Sequence, residues 1–302
     1  MPTINYAQRY SDIVDEVFRL GALTNSIVNQ QYSWVDVDTV KVYSIPTVSM
    51  TDYTLTGSAR YGVASELQNV IQTMTLQQDR SFTFTVDRKS VDDTMGVMAA
   101  AAALRRQIEV DAIPEIDAYT FATLASKAGI STVAGATITP GTTDVPNLID
   151  AAEAQMDNDE VPYEGRILFV SPACYMGLKE KIERRIINSE NNVNTNVEFY
   201  DDMRIIRVPT SRFNTSVTLS SSDDSHDDAG GFTLSGNAIN FMIVHPSAVI
   251  KVMKHRLVRV FTPAQNPTAD GYLVNYRYCA GVFVPDNKVK GIYLHKGTTV
   301  SG

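Results

Sequence analysis

The densest run of ligand-capable side chains is Ser220-Ser221-Ser222-Asp223-Asp224-Ser225-His226-Asp227-Asp228. Carboxylate oxygens of this kind can gather a hard divalent cation. The spacing argues for something blander: the carboxylates sit side by side rather than alternating, and no central glycine turns the chain around an ion. The segment reads as a solvated acidic surface loop, with weak calcium binding as the alternative. A second acidic group, Glu153, Asp157, Asp159, Glu160 and Glu164, follows a short apolar helical pattern and reads as a soluble rim. A third, Asp111, Glu115 and Asp117, flanks Pro114. There Arg105 and Arg106 offer partners, within one helix or across a subunit contact.

Nothing in the sequence assembles a reaction centre. It contains no GxSxG elbow, no Gly-rich phosphate loop ending in Lys-Ser/Thr, no HExxH and no CxxC. The four histidines, His226, His245, His255 and His295, do not pair at metal-ligand spacing. His245 ends an apolar run before Pro246 and reads as structural. Cys174 and Cys279 have hydrophobic neighbours and read as buried free thiols. No catalytic residue, metal ligand or cofactor-binding residue is therefore assigned. A soluble hydrolase built on residues 130–262 would need a nucleophile, a base and an oxyanion site, and none can be put together. Twenty-six basic against 34 acidic residues give a net charge of −8. The basic runs, Arg105-Arg106, Arg184-Arg185 and 251–259, are short, which argues against reading nucleic-acid sequence. No apolar stretch reaches the length of about eighteen residues needed to span a membrane as a helix.

The elements predicted from periodicity suggest another use for the chain. Residues 35–38 and 40–43 alternate, as do Phe82-Thr83-Phe84-Thr85-Val86, so both read as strands. The residues between them are rich in Thr, Ser and Gln and far exceed a hairpin loop of about two to five residues. The pattern predicts a long two-stranded ribbon leaving the body. An isolated ribbon is marginal in water, so it should lie on another chain. Residues 1–34 read as an arm with a short amphipathic helix. Ser90 as N-cap, with Asp92 and Asp93 in the first turn, opens a long helix over 91–128 that Pro114 must perturb. Leu104, Ile108 and Ala112 share one face of it. Further on, a helix is predicted over 147–156, strands over 166–170, 203–208 and 239–244, and a helix starting at Ser171-Pro172 and reaching about residue 187. Strands over 272–284 and 289–294 flank a turn at Pro285-Asp286-Asn287. The class is α+β, with a compact α+β or α/β unit over residues 130–262.

The order and lengths of these pieces resemble the major capsid proteins of tailed phages with the Hong Kong 97-like fold. The resemblance rests on VKVYSIPTVSMTDYTLTGSARYG (40–62), MTLQQDRSFTFTVDR (74–88), LRRQIEVDAIPEIDAYTFATLA (104–125) and the stretch from VHPSAVIKVMKH (244–255) through the closing strands. It implies an N-terminal arm (1–34), an extended β-hairpin loop overlapping an adjacent subunit (35–89), and a spine helix of a peripheral domain (90–129). It further implies an axial domain meeting at fivefold and sixfold axes (130–262) and return strands of the peripheral domain (263–302). The partners implied are copies of the chain in pentamers and hexamers, a separate scaffolding protein, a portal and a decoration protein. The shell would enclose DNA without reading its sequence, assemble in the host cytoplasm and reside in the virion. Trp34, Arg60, Tyr61, Arg80, Arg105 and Arg106 are the residues expected at contacts between copies. Relatives that weld subunits do so through a lysine near the loop tip; residues 42–88 hold no lysine, so no such crosslink is expected. A cellular nanocompartment shell of the encapsulin kind shares the fold and is the alternative.

Overall fold

In a computed structural model the chain is described over residues 21–27, 39–44, 47–58, 60–64, 66, 70–89, 100–133, 135, 137–181, 197–220 and 231–299. The predicted first-arm helix, Trp34, the Ser90 cap and nearly all of the 220–228 stretch lie outside the described residues. Strands β1 (Thr39–Ser44) and β2 (Val70–Thr75) form a two-stranded antiparallel ribbon, with Thr39 opposite Thr75 and Ser44 opposite Val70. This corrects the expected pairing. The second arm of the ribbon is 70–75, not 82–86. Strand β3 (Gln78–Asp87) turns away and pairs with a distant partner, because the inward residues Phe82 and Val86 find an apolar face there.

The helical run is Ala100–Gln107 (α1), a π-helical turn at Ile108–Ala112, and Ile113–Ser126 (α2). Pro114 stands in the first turn of α2. It has no N–H, and its ring would crowd the carbonyl four residues back in a regular helix. The wider turn, closed by Ile113 N–H donating to Ile108 O, absorbs that conflict immediately before the proline, a common cause of helix irregularity.

Beyond α2 come β4 (Ser131–Val133), helix α3 (Val145–Asn158), β5 (Ile167–Val170), helix α4 (Pro172–Lys181), β6 (Phe199–Tyr200), β7 (Met203–Arg207) and β8 (Asn214–Leu219). Long strands β9 (Phe232–Val244), β10 (Ile250–Phe261), β11 (Gly271–Phe283) and β12 (Ile292–Thr299) complete the chain. Helix α4 starts as its residues dictate: Ser171 Oγ accepts from Cys174 N–H, and Pro172 fills the first turn. A seven-stranded mixed sheet runs β4-β12-β9-β5-β7-β6, with β8 beside β9. A three-stranded antiparallel sheet runs β10-β11-β3. Strand pairing does not follow the expected boundary at residue 262. Strand β10, placed with the axial unit, joins β11 and β3, while β12, placed with the return strands, pairs with β9 and β4.

Two cores line the larger sheet. One gathers Phe121 and Leu124 of α2 with Phe169, Phe213, Met242 and Leu294; Phe121 meets Phe169 and Phe213 edge-on at 5.1 and 4.9 Å. The other packs Ile149, Ala152 and Met156 of α3 and Cys174 and Leu178 of α4 against Leu168, Val170, Phe241 and Ile243. The smaller sheet rests on the helical run through Ile116, Tyr276, Tyr278 and Ala280, with Phe82, Leu104 and Ile108 at the margin. The face predicted by Leu104, Ile108 and Ala112 is thus the packed one. A fourth cluster seats the ribbon. Val42 and Met74 bury against Ile250, beside Val252 and Phe283. The ribbon is therefore anchored on its own chain, and the loop between its two strands continues beyond that seat.

Candidate assembly surfaces

That loop runs outward from β1 and returns to β2. Its tip is closed by two hydrogen bonds: Thr54 N–H donates to Arg60 O at 3.1 Å, and Thr51 Oγ1–H donates to Tyr61 O. Gly62 lies at φ +83°, and a Cβ there would meet Thr51 Oγ1 at 2.6 Å, so only glycine suits this turn. The closed tip leaves its large apolar side chains in water. Met50 is 100% exposed, Val63 91%, Tyr61 87% and Leu55 81%. Tyr61 meets Tyr53 edge-on, at 5.0 Å between centroids, and Arg60 is exposed beside it. Several large apolar side chains held out together on a ribbon are the mark of a contact with another molecule. A second such surface is β10, an outer strand of its sheet, where Met253, Leu257, Val258 and Val260 are all more than two-fifths exposed. An edge strand that leaves apolar side chains bare invites pairing or coverage.

The arginines expected at subunit contacts are placed differently from one another. Arg105 and Arg106 are exposed on α1, and Arg105 Nε pairs with Glu109 Oε1 at 2.9 Å, one turn on. Arg80 is turned inward. Its Nε and Nη2 donate to the two Glu115 carboxylate oxygens at 2.8 and 3.0 Å, and Tyr278 Oη–H donates to Glu115 Oε1 at 2.9 Å. Arg80 also donates to Ser220 O and Gly231 O, clamping the base of the acidic stretch. The bond to Glu115 holds the Arg80 pKa up against the opposing effect of burial. This corrects one expectation: Glu115 takes Arg80, not Arg105 or Arg106. The Arg80 guanidinium is engaged within its own chain and remains 22% exposed.

Asp117 likewise finds a distant partner. It is wholly buried and accepts from Arg212 Nη1 at 3.2 Å, Thr24 Oγ1 at 2.6 Å, Thr24 N and Leu23 N. Lys251 Nζ donates to Thr24 Oγ1, and burial depresses its pKa while Asp117 opposes that shift. One carboxylate thus ties the Leu23–Ile27 turn of the arm to α2, to the Thr210–Arg212 turn and to β10. Nothing local to Asp117 points to Thr24, Arg212 or Lys251, so sequence reasoning missed the cluster.

The remaining reactive groups are quiet. Burial pushes the Cys174 thiol up to about 12, and Cys279 is half-buried. His245 shares a 2.6 Å hydrogen bond with Ser247 Oγ and another with Glu164 O at 3.2 Å, capping the turn at Pro246–Ala248. His295 stacks on Phe241 and meets Asn240. Burial lowers both imidazole pKa values. In the acidic rim, Asp157 pairs with the buried Arg166 at 2.6 Å and Asp159 with Lys290 at 3.7 Å. Among the described residues no group of three or more His, Cys, Asp or Glu side chains could hold a metal ion, and no helix is long and apolar enough to cross a membrane.

Comparison with known proteins agrees with this architecture. A solved structure from Mycobacterium phage Che8 superposes with a TM-score of 0.65, covering 98% of both chains at 15% identity. The capsid structure of cyanophage P-SCSP1u gives 0.66 at 12% identity, covering 97% of this chain and 93% of that one. The mature capsid of bacteriophage PhiM1 gives 0.63 at 14% identity, covering 98% and 93%. At these identities the likeness shows the fold, the tailed-phage capsid fold expected from the sequence. No curated protein sequence matches the chain. The model of the phage capsid protein family matches residues 71–294, from the second ribbon strand to the last strand, and the chain belongs to that family.

Proposed function

We propose that this chain is the shell-building subunit of a tailed phage, closing with copies of itself into pentamers and hexamers around the DNA genome. The observation that carries the reading is the projecting loop, whose ribbon is seated on its own chain while Met50, Leu55, Tyr61 and Val63 at the tip are left in water. A neighbouring copy offers bare apolar surface of the matching kind along β10. Burying these side chains against a second copy is worth about 25 cal/mol per Å² of apolar area. A shell repeats each such contact, so modest individual contacts suffice. Arg60, Tyr61, Arg105 and Arg106 are exposed, Arg105 while paired with Glu109, and would join such contacts; Trp34 belongs to the arm that would join them. Helices α1 and α2 serve as the spine, and the unit around α3, α4 and β6 to β8 supplies the axial contacts. The net charge of −8 suits a wall that must not hold DNA tightly during packing and release. Scaffold, portal and decoration proteins complete the assembly in the host cytoplasm.

Expression of the chain with and without its candidate scaffold, followed by electron microscopy and sizing, tests the proposal. Closed shells of megadalton size are expected. A monomer under all conditions rejects it, and shells filled by an enzyme rather than DNA would move the reading to a nanocompartment.

A further inference from the structure

Where α3 meets the β6–β7 hairpin, negative groups converge on one place. Asp150, Glu153 and Asp157 recur at spacings of three and four along α3 and so share one face. The hairpin that packs there turns on just two residues, Asp201 and Asp202, with Tyr200 opposite Met203. Both turn residues are left-handed, at φ 42° and 62°, and each presents a carboxylate where hairpins of this kind favour Asn-Gly. The hairpin is tied down by its ring: Tyr200 Oη–H donates to Asp150 Oδ1 at 2.5 Å, and Tyr200 and Met203 pack with Ile149, Ala152 and Met156.

Glu153 sits half-buried in this junction. The charged and titratable groups facing it are Asp150 and Asp157 from its own helix, Asp201 and Tyr200 from the hairpin, and Arg166 at the start of β5. Arg166 is the cation among them, and it is already committed. Its Nη2 donates to Asp157 Oδ1 and to Val161 O, each at 2.6 Å, and its Nε to Pro162 O at 3.0 Å. Among the described residues Glu153 therefore has three carboxylates for neighbours, and Arg166, the cation near it, hydrogen-bonds to Asp157 and only partly offsets them.

We propose that Glu153 makes the seat of the β6–β7 hairpin on α3 proton-operated: neutral Glu153 lets the hairpin clamp down, and ionised Glu153 pushes its turn away through Asp201. Burial, then Asp201, lift the Glu153 pKa from 4.5 to about 7, with Arg166 opposing, so the change falls in a physiological window. The sign follows from a raised carboxyl pKa. The clamping contribution is complete below about 4.5, is lost progressively as pH rises from there, and is gone above about 7. The inference rests on this junction alone and holds whether or not the chain forms shells.

Hydrogen–deuterium exchange of the full-length chain tests it, read at the amides of 199–204 and corrected for intrinsic rates. Protection is expected to be at least tenfold higher at pH 5.5 than at pH 8.5, with the fall levelling off near pH 7, while helix α2 shows no such response. Glu153→Gln should hold the hairpin protected at both pH values. Equal protection at the two pH values in the unaltered chain overturns the proposal, as does an undiminished pH response in Glu153→Gln. If that variant does not fold, Asp201→Asn must move the pH at which the fall levels off to a lower value, and an unmoved value overturns the proposal equally.

Discussion

Arg80 and Glu115 lie 35 residues apart and face each other through two parallel N–H···O bonds of 2.8 and 3.0 Å. The pair joins β3 to α2 at the point where the ribbon leaves the body. It fixes β3, the strand that follows the ribbon, to helix α2.

Replacing Arg80 by alanine should therefore act on folding before it acts on assembly. Glu115 would be left nearly buried with Tyr278 as its remaining hydrogen-bond donor. Removing one member of such a pair costs about 3 kcal/mol, the low end for buried pairs because Arg80 is 22% exposed. Denaturant unfolding of the unassembled subunit measures this. Arg80→Lys, which keeps the charge but loses the two-pronged geometry, should recover only part of it.

The loop tip should behave in the opposite way. Exchanging Leu55 and Tyr61 together for serine removes exposed side chains, so subunit stability should stay within about 0.5 kcal/mol. Particle yield by sedimentation should fall sharply. Normal shells from this double variant would remove the tip from the list of contacts.

Thr24 reports on the arm. Thr24→Val deletes the hydroxyl that joins Asp117 to Lys251, at a cost of about 1–3 kcal/mol. Limited proteolysis should cut near residues 21–27 faster in the variant than in the parent. An unchanged cleavage rate would show that the arm is held mainly by Ile27 in the core.

Shells should run as single subunits on a denaturing gel. Residues 42–88 offer no amine for an amide bond at the projecting tip, and Lys41 is held at the ribbon root, opposite Thr73. A covalent ladder in heat-treated, reduced samples would contradict this.

Thiol labelling at pH 8 should leave Cys174 untouched in the folded chain, because burial holds its thiol up to about 12 and only the thiolate reacts. It should label promptly in denaturant. Prompt labelling of the native protein would mean that the core between α4 and the large sheet opens readily.

Much of the plan could be read from residue order. A period-two run announced β3, the unbroken apolar run at 167–170 announced β5, the Ser171-Pro172 pair announced α4, and Pro114 announced an irregularity in the long helix. These signals are local: they depend on backbone preferences and on which face an element buries, and both are written within a few residues. The exposed Arg60 and Tyr61 were legible for the same reason, since a polar, glycine-punctuated stretch supplies no core.

Partnership was not legible. The sequence offered Phe82 to Val86 as the mate of β1, yet the tertiary structure gave that place to 70–75 and sent β3 to β11. Strand β10 carries Lys251, Lys254, Arg256 and Arg259 in a run without clean alternation, which hid a strand of twelve residues. Glu115 and Asp117 had Arg105 and Arg106 nearby in sequence but paired with Arg80 and Arg212. A buried carboxylate must be matched by whatever cation the folded chain brings within reach, and that is settled by packing across the whole molecule. The amino-acid order determined the elements and the exposed loop; only the tertiary structure decided which charges and strands would meet.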